Sequence, residues 1–418
     1  MMINKNKRIF VASIGTFLEW AEFTYYAYIA NKIAYLFFPN LNDGLALAAA
    51  FSVFALSYFF RPIGALVFGY LGDRFGRRLA LQLSMMLLGI STTLIGCLPV
   101  YNSIGIVAPI LLLVFRSIQG IAVSGEYNGS AIYLIEHEPD KPCRAGSWTG
   151  LASALGMMCG SLMSSLIYLT NMPEWAWRVP FLLGAISCFF AVYLRKNLGE
   201  SPAYLMLKAN KLSNPLAFLF KYYKQQLLKA ILLVAAFGVY IYIMNLYYAS
   251  HLAHFTSLPI AATQLIVTIG QGLVVLFIAL IALFVDQFGE KRLMKIGLWG
   301  FFIIAPIAYL IPLSNSFSLI LFAQIGYALC NALVGVPIYK ILHEFFPASV
   351  RYSGVSIAWS SSIALFGGTA PLVANYLQFL LNHPMAPVLY IFFATSVALI
   401  VLRLEKGYKV NYQNLELG

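Results

Sequence analysis

Gly72-Asp73-Arg74-Phe75-Gly76-Arg77-Arg78 separates two long apolar stretches, and Asp286-Gln287-Phe288-Gly289-Glu290-Lys291-Arg292 separates two more. Each runs acid, polar residue, Phe-Gly, then adjacent bases, with Glu290 placed before the bases in the second. A second pair of like segments, Glu136 to Arg144 and Glu344 to Arg351, follows later apolar stretches. Both echoes are displaced by a little over about 200 residues, which argues for a duplicated unit with a site between its copies.

Windows of about 20 apolar residues, the length that crosses a bilayer, predict spans at 9–37, 45–71, 79–98, 104–136, 145–169, 177–194, 227–250, 260–285, 293–313, 317–343, 352–380 and 385–402. The chain is 61% hydrophobic and 10% charged, with a mean hydropathy of +0.80, far from the balance of soluble domains. The longest polar interruption, Arg195 to about Gln226, is rich in Lys and Tyr and divides the spans into two sets of six. The expected fold is an all-α integral membrane protein, twelve transmembrane helices in two pseudo-symmetric six-helix bundles. Its parts are 1–195 as the first bundle, 196–226 as a cytoplasmic central loop, and 227–418 as the second bundle with a short cytoplasmic tail.

The net charge of +12 has a topological cause. Gaps 38–44, 99–103, 170–176, 251–259, 314–316 and 381–384 hold no Lys or Arg, whereas the alternate segments carry Lys5, Lys7, Arg8, Arg74, Arg77, Arg78, Lys141, Arg144, Arg195, Lys196, Lys291, Arg292, Arg351, Lys406 and Lys409. The positive-inside rule then places both termini in the cytoplasm. No nucleic-acid partner is needed to explain the charge. Residues 9–37 are too long, and interrupted by Glu19, Glu22 and Lys32, to be a cleavable signal peptide. The five cysteines lack paired spacing, so no disulfide framework, metal or cofactor is implied.

Glycines punctuate spans 2, 4, 5 and 11, with Gly156 and Gly160 at small-xxx-small spacing. Close helix packing accounts for most of them. The remainder are candidate bending points for alternating access.

The loop Gly72 to Arg78 resembles that of the major facilitator superfamily after its second span. Further motifs narrow the resemblance to the metabolite:proton symporters, which include proline/betaine, α-ketoglutarate, citrate and shikimate permeases. They are Glu19-Trp20 to Phe23, Phe60-Arg61-Pro62-Ile63-Gly64, Gln119-Gly120 with Gly125-Glu126, Trp177 to Phe181, Glu200-Ser201-Pro202, and Phe346-Pro347 with Val350 to Gly354, spanning about residues 15 to 371. The chain departs from that pattern with Glu22 in place of an aspartate and Thr16 in place of an asparagine. It also lacks the long coiled-coil tail of osmosensing betaine carriers. The resemblance implies proton-coupled uptake of a small organic solute by alternating access, in a bacterial cytoplasmic membrane, by a chain working as a monomer among lipid. The alternatives are a proton-driven exporter of drugs or metabolites, or an uncoupled uniporter or exchanger. Span 5 lacks a glycine-proline antiporter pattern, which counts against export. No hydrolase elbow, His/Cys cluster or phosphate loop suggests an enzyme.

Charged side chains at membrane depth are costly and usually functional. Glu19 and Glu22 are three residues apart and share a face of the first helix with Tyr25 and Tyr26 a turn on, expected to look into the cavity. At about 1.5 Å per residue Glu22 and Arg116 lie at similar depth, so an ion pair is possible. Substrate competing for Arg116 would free Glu22 to take a proton; a fixed structural bridge is the other reading. Arg61 either bridges to Glu126 or grips a substrate carboxylate bidentately. Glu126 is gate or brace. Aromatic and amide groups of the second half, Tyr240, Asn245, Gln271, Asn331 and Trp359, complete the candidate solute site, with a carboxylate or zwitterion as the expected cargo. Tyr247, Tyr248, His251 and His254 read as interface or surface groups. Asp73, Arg74, Arg77, Glu136, Arg144, Glu200, Asp286, Arg292, Glu344 and Arg351 sit at helix ends of the basic side, and their repetition at matching loops suggests a network that closes that side.

Overall fold

The computed structural model describes residues 5–167, 172–196, 198–207 and 212–404, which form helices and loops with no strand. Lipid offers the backbone no hydrogen bonds, so each crossing segment satisfies its own as helix. The first six long helices are α1 (Lys5–Tyr28), α2 (Asp43–Arg74), α3 (Arg77–Cys97), α4 (Val107–His137), α5 (Pro142–Ile167) and α6 (Val179–Arg195). The second six are α7 (Lys224–Tyr242), α8 (Ile260–Phe288), α9 (Glu290–Leu310), α10 (Phe317–Phe345), α11 (Arg351–Ser362) and α12 (Ala386–Leu404). Among the described residues, nine helices are long and apolar enough to cross a bilayer. The other three depart for visible reasons: α1 carries Glu19 and Glu22, α5 is rich in Gly and Ser, and α6 has 17 residues. The fold is a twelve-helix membrane bundle built of two six-helix units.

Part of the predicted fifth span (168–169), parts of the central segment (197 and 208–211) and the tail 405–418 with Lys406 and Lys409 lie outside the described residues.

Three spans are interrupted where the sequence reads as continuous. α1 breaks after Tyr28 and resumes as Ala30–Phe37. α7 passes through a π turn, Ile243–Tyr247, into Tyr248–Phe255. α11 passes through another, Ile363–Gly367, before Ala370–Leu381, and there Gly368 N–H bonds to Ile363 O at 2.7 Å. Such single turns recur at functional sites, and both sit in one cavity wall.

The close α1–α5 packing depends on Gly156 and Gly160. A Cβ on either would strike the backbone carbonyl of Phe17 or Ala21. The two halves meet through α2 on α11 and α5 on α8 and α10. The outer surface exposes side chains such as Phe59, Ile90, Leu283 and Phe379, as a lipid-facing surface requires.

Candidate functional site

A cavity of about 770 Å³ opens between the halves, large enough to enclose a small organic solute. On α1 its wall is Trp20, Phe23, Thr24, Ala27 and Tyr28, a face set by the helical period. Opposite stand Tyr242 and Asn245, Gln271 on α8, Asn331 and Tyr339 on α10, and Trp359 on α11. Asn245 Nδ2 donates to Tyr327 Oη at 2.5 Å and Gln271 Nε2 donates to Asn245 Oδ1 at 3.2 Å, so the amides form a preset polar strip. Trp359 stacks on Tyr339 at 4.7 Å and tilts on Tyr127 at 5.3 Å, making an aromatic end to the cavity. Tyr242 Oη donates to Tyr58 Oη at 3.0 Å, a contact between the halves that crosses the cavity wall.

Arg61 projects from α2 into this wall. Its guanidinium lies over Tyr58 (4.4 Å), Phe23 (4.8 Å) and Trp20 (5.8 Å). Its Nε and Nη2 have no hydrogen-bond partner among the described residues. The bridge to Glu126 does not form. Glu126 is held instead by Arg195 from the end of α6, with Nη2–Oε1 at 2.5 Å and Nη1–Oε2 at 2.6 Å. Arg195 also donates to the carbonyls of Val11, Ala12 and Leu81, tying α1, α3, α4 and α6 together. Arg195 stands at the basic flank in the sequence, and its partner is set by how far α6 enters the bundle.

Glu22 and Arg116 do pair, at 3.3 Å with Arg116 fully buried. Arg116 Nη1 also donates to Gln119 Oε1 (2.8 Å), Gln119 Nε2 donates to Thr92 Oγ1 (2.8 Å), and Thr92 Oγ1 donates to Glu22 Oε2 (3.4 Å), which closes a ring of four side chains. Arg116 lies over Tyr26 (4.2 Å), Phe23 (4.9 Å) and Phe54 (5.8 Å), and its Nε and Nη2 have no hydrogen-bond partner among the described residues. Glu19 is 1% exposed, and neither of its oxygens has a hydrogen-bond partner among the described residues. It is within electrostatic range of Arg61, Glu22 and Glu126.

The two carboxylates share a helix face, as expected, but that face looks into the first six-helix unit and not into the cavity. Neither Glu19, Glu22 nor Arg116 lines the cavity. The reason is helical geometry: Glu19 and Glu22 each precede a lining residue, Trp20 and Phe23, by one step of about 100°. Tyr25 and Tyr26 are also placed away from the cavity, with hydroxyls on the carbonyls of Trp177 (2.8 Å) and Ala50 (3.2 Å). Tyr240 stacks on Phe301 at 3.6 Å inside the second unit. It lies five residues from Asn245, about 140° around the helix, whereas Tyr242 lies three residues away on the same side. That spacing was available in the sequence and points to Tyr242. Tyr247, Tyr248 and His251 are buried, not surface groups: Tyr247 donates to Gln378 Oε1 (2.8 Å), Tyr248 to Ala308 O (2.7 Å), and His251 packs on Tyr309 at 4.4 Å.

At the basic end the repeated motifs interlock. Asp73 accepts the N–H groups of Tyr352 (3.1 Å) and Ser353 (2.8 Å) at the start of α11. Asp286 accepts those of Cys143 (2.9 Å) and Arg144 (3.0 Å) at the start of α5. Helix N-termini attract carboxylates. Arg77 pairs with Asp73 (3.1 Å) and Glu136 (3.3 Å), and donates to Ala348 O (2.7 Å). Arg351 joins Glu136 from the second half at 3.1 Å. Glu200 accepts the N–H groups of Arg77 (3.0 Å) and Arg78 (3.3 Å) at the start of α3, and burial pushes its carboxyl above the ordinary glutamate range. Five members of the set stay out of the cross-half network through their side chains, Glu200 because it bonds within the first half. Arg74 donates to Leu212 O (2.6 Å), Glu344 pairs with Lys340 on its own helix (2.5 Å), Arg144 takes part through its backbone, and Arg292 is exposed on α9 beside Phe288.

This architecture has close parallels. The profile of the sugar (and other) transporter family matches residues 8–214 and 210–404. A putative proline/betaine transporter of Staphylococcus aureus (strain COL) is 30% identical over 98% of this chain and 91% of its own. The proline/betaine transporter of Escherichia coli (strain K12) is 32% identical over 94% of this chain and 82% of its own. In fold, the chain superposes with a TM-score of 0.81 and 19% identity on the proton:xylose symporter XylE bound to 6-bromo-6-deoxy-D-glucose, over 96% of both chains. The chain belongs to the sugar (and other) transporter family, and it is a membrane transporter, not an enzyme.

Proposed function

We propose that the protein is a proton-coupled symporter that takes up a small carboxylate or zwitterion by alternating access. The observation that carries this reading is the buried Glu22–Arg116 pair standing directly behind a cavity whose wall holds the under-bonded Arg61. In the proposal the solute carboxylate meets Arg61, whose planar fork matches it. The amides of Asn245, Gln271 and Asn331 orient its polar atoms. A cationic end rests on Trp359 and neighbouring rings by cation–π attraction. Relatives named as proline/betaine transporters support such a zwitterion. Glu22 carries the proton, and Glu19 serves as a second acceptor beside it.

Asp73, Arg77, Glu136, Asp286 and Arg351 act as the gate of the basic side, taken as cytoplasmic together with both termini. Glu126 and Arg195 act as a brace. Residues 196–226 join the two moving units. Each chain has its own cavity between its own halves, which supports transport by a monomer. A proton falling through 100 mV releases about 2.3 kcal/mol, enough for roughly 50-fold accumulation.

The test is lumen acidification in proteoliposomes on addition of pooled amino acids, betaines, and mono-, di- or tricarboxylates. One pool should acidify the lumen. Solute exchange with no proton movement from any pool would refute symport.

A further inference from the structure

One aromatic ring, Phe23, touches both of the buried cations just described. Its centroid is 4.8 Å from the Arg61 guanidinium and 4.9 Å from that of Arg116, which puts the two charges within about 10 Å of each other. Phe23 follows Glu22 directly and lines the cavity. It is fixed by Tyr58, edge-on at 5.1 Å, and by Phe54 at 4.7 Å. Among the described residues, both cations lack hydrogen-bond acceptors for Nε and Nη2. Ring faces therefore supply much of what holds each guanidinium in place.

We infer that Phe23 is the positioning residue that couples solute binding to protonation, by holding Arg61 free of Glu19 and within electrostatic reach of the Glu22–Arg116 pair. This inference rests on the proposed symport. An anionic group on Arg61 adds negative charge close to Glu22, so a proton binds Glu22 more favourably; a proton on Glu22 leaves the site more positive, so the anion binds more tightly. The two effects are equal by linkage. With Arg61 within about 10 Å of Arg116, and so within roughly 13 Å of Glu22, an effective dielectric of about 20 makes each effect roughly tenfold. With an aliphatic side chain at position 23, Arg61 loses its ring support and turns toward Glu19, away from the Glu22–Arg116 pair, and the coupling is lost. The other groups facing Glu22 are Glu19 on α1 itself, Thr92 on α3, Gln119 on α4 and Cys188 on α6, and those facing its partner Arg116 are Tyr26 on α1 and Tyr58 on α2. Each stays constant in the comparison below.

The test needs no solute. The carbonyl stretch of protonated Glu22 is followed by infrared difference spectroscopy against pH and identified by its loss in Glu22→Gln. Arg61→Gln stands in for neutralisation of Arg61 by an anion. It should move the Glu22 midpoint up by about one pH unit in the otherwise native chain, by less than a third of that with Phe23→Leu, and by the full amount with Phe23→Tyr, which restores the ring. An undiminished shift in Phe23→Leu overturns the inference. Phe23→Met serves the same comparison should the leucine variant not fold. No Glu22 band titrating in the native chain would instead overturn the proton-site reading itself.

Discussion

Asp73 and Asp286 occupy matching places in the two halves, and each clamps the first turn of a helix belonging to the other half. Asp73 holds Tyr352 and Ser353, and Asp286 holds Cys143 and Arg144. The duplicated loop motif is thus used twice for one purpose, and the basic end is closed by a pair of symmetric latches.

Removing the charge of one latch should loosen that end. Hydrogen bonds to charged groups contribute about 1.5–3 kcal/mol, so Asp73→Asn is expected to raise the open population about tenfold. Cys143 is buried beside the other latch at 1% exposure. In a protein retaining Cys143 as its single cysteine, a membrane-impermeant maleimide applied from the basic side should label Asp73→Asn about tenfold faster. Equal rates would mean that the latch does not hold the end closed.

Glu126 and Arg195 should behave as a brace. Breaking a buried ion pair from one side costs about 3–5 kcal/mol, whereas replacing both partners can be nearly neutral. Glu126→Leu and Arg195→Leu are each expected to lower the thermal unfolding midpoint strongly in detergent, and the double variant to recover much of the loss. A double variant worse than both singles would contradict the brace.

Arg61→Lys keeps the charge but removes the planar fork. Apparent KM in counterflow should rise about tenfold with a much smaller change in maximal rate, because the loss falls on bidentate binding. An unchanged KM would remove Arg61 from the solute site.

Tyr242→Phe deletes one hydroxyl of the Tyr58–Tyr242 contact between halves. A neutral hydrogen bond contributes about 1 kcal/mol, so the balance between facing states should shift about fivefold away from the joined arrangement, seen as faster opening or altered labelling of cavity cysteines. Identical labelling of both proteins would show that the contact carries no gating energy.

Most of the helices were legible because lipid demands long apolar segments, and α2, α4, α8 and α10 announce themselves by hydropathy alone. The latches were legible because the motif repeats, and the Glu22–Arg116 pair because depth along two antiparallel helices can be counted. The cavity-facing side of α1 was not. A one-residue step separates Glu22 from Phe23, and hydropathy does not separate a cavity wall from a polar bundle interior. The Arg195 partnership escaped for a related reason: a base at a helix end looks solvated until the helix is seen to run inward. The π turns at Ile243–Tyr247 and Ile363–Gly367 leave almost no compositional mark beyond Gly367 and Gly368, since a π turn differs from an α turn by one residue of register.

The central claim is that Glu22 carries the coupled proton, and the most direct measurement compares Glu22→Gln with the native chain in proteoliposomes for solute-driven lumen acidification and for solute exchange. The account predicts that acidification and pH-driven accumulation disappear while exchange persists. Accumulation that survives intact in Glu22→Gln would contradict it.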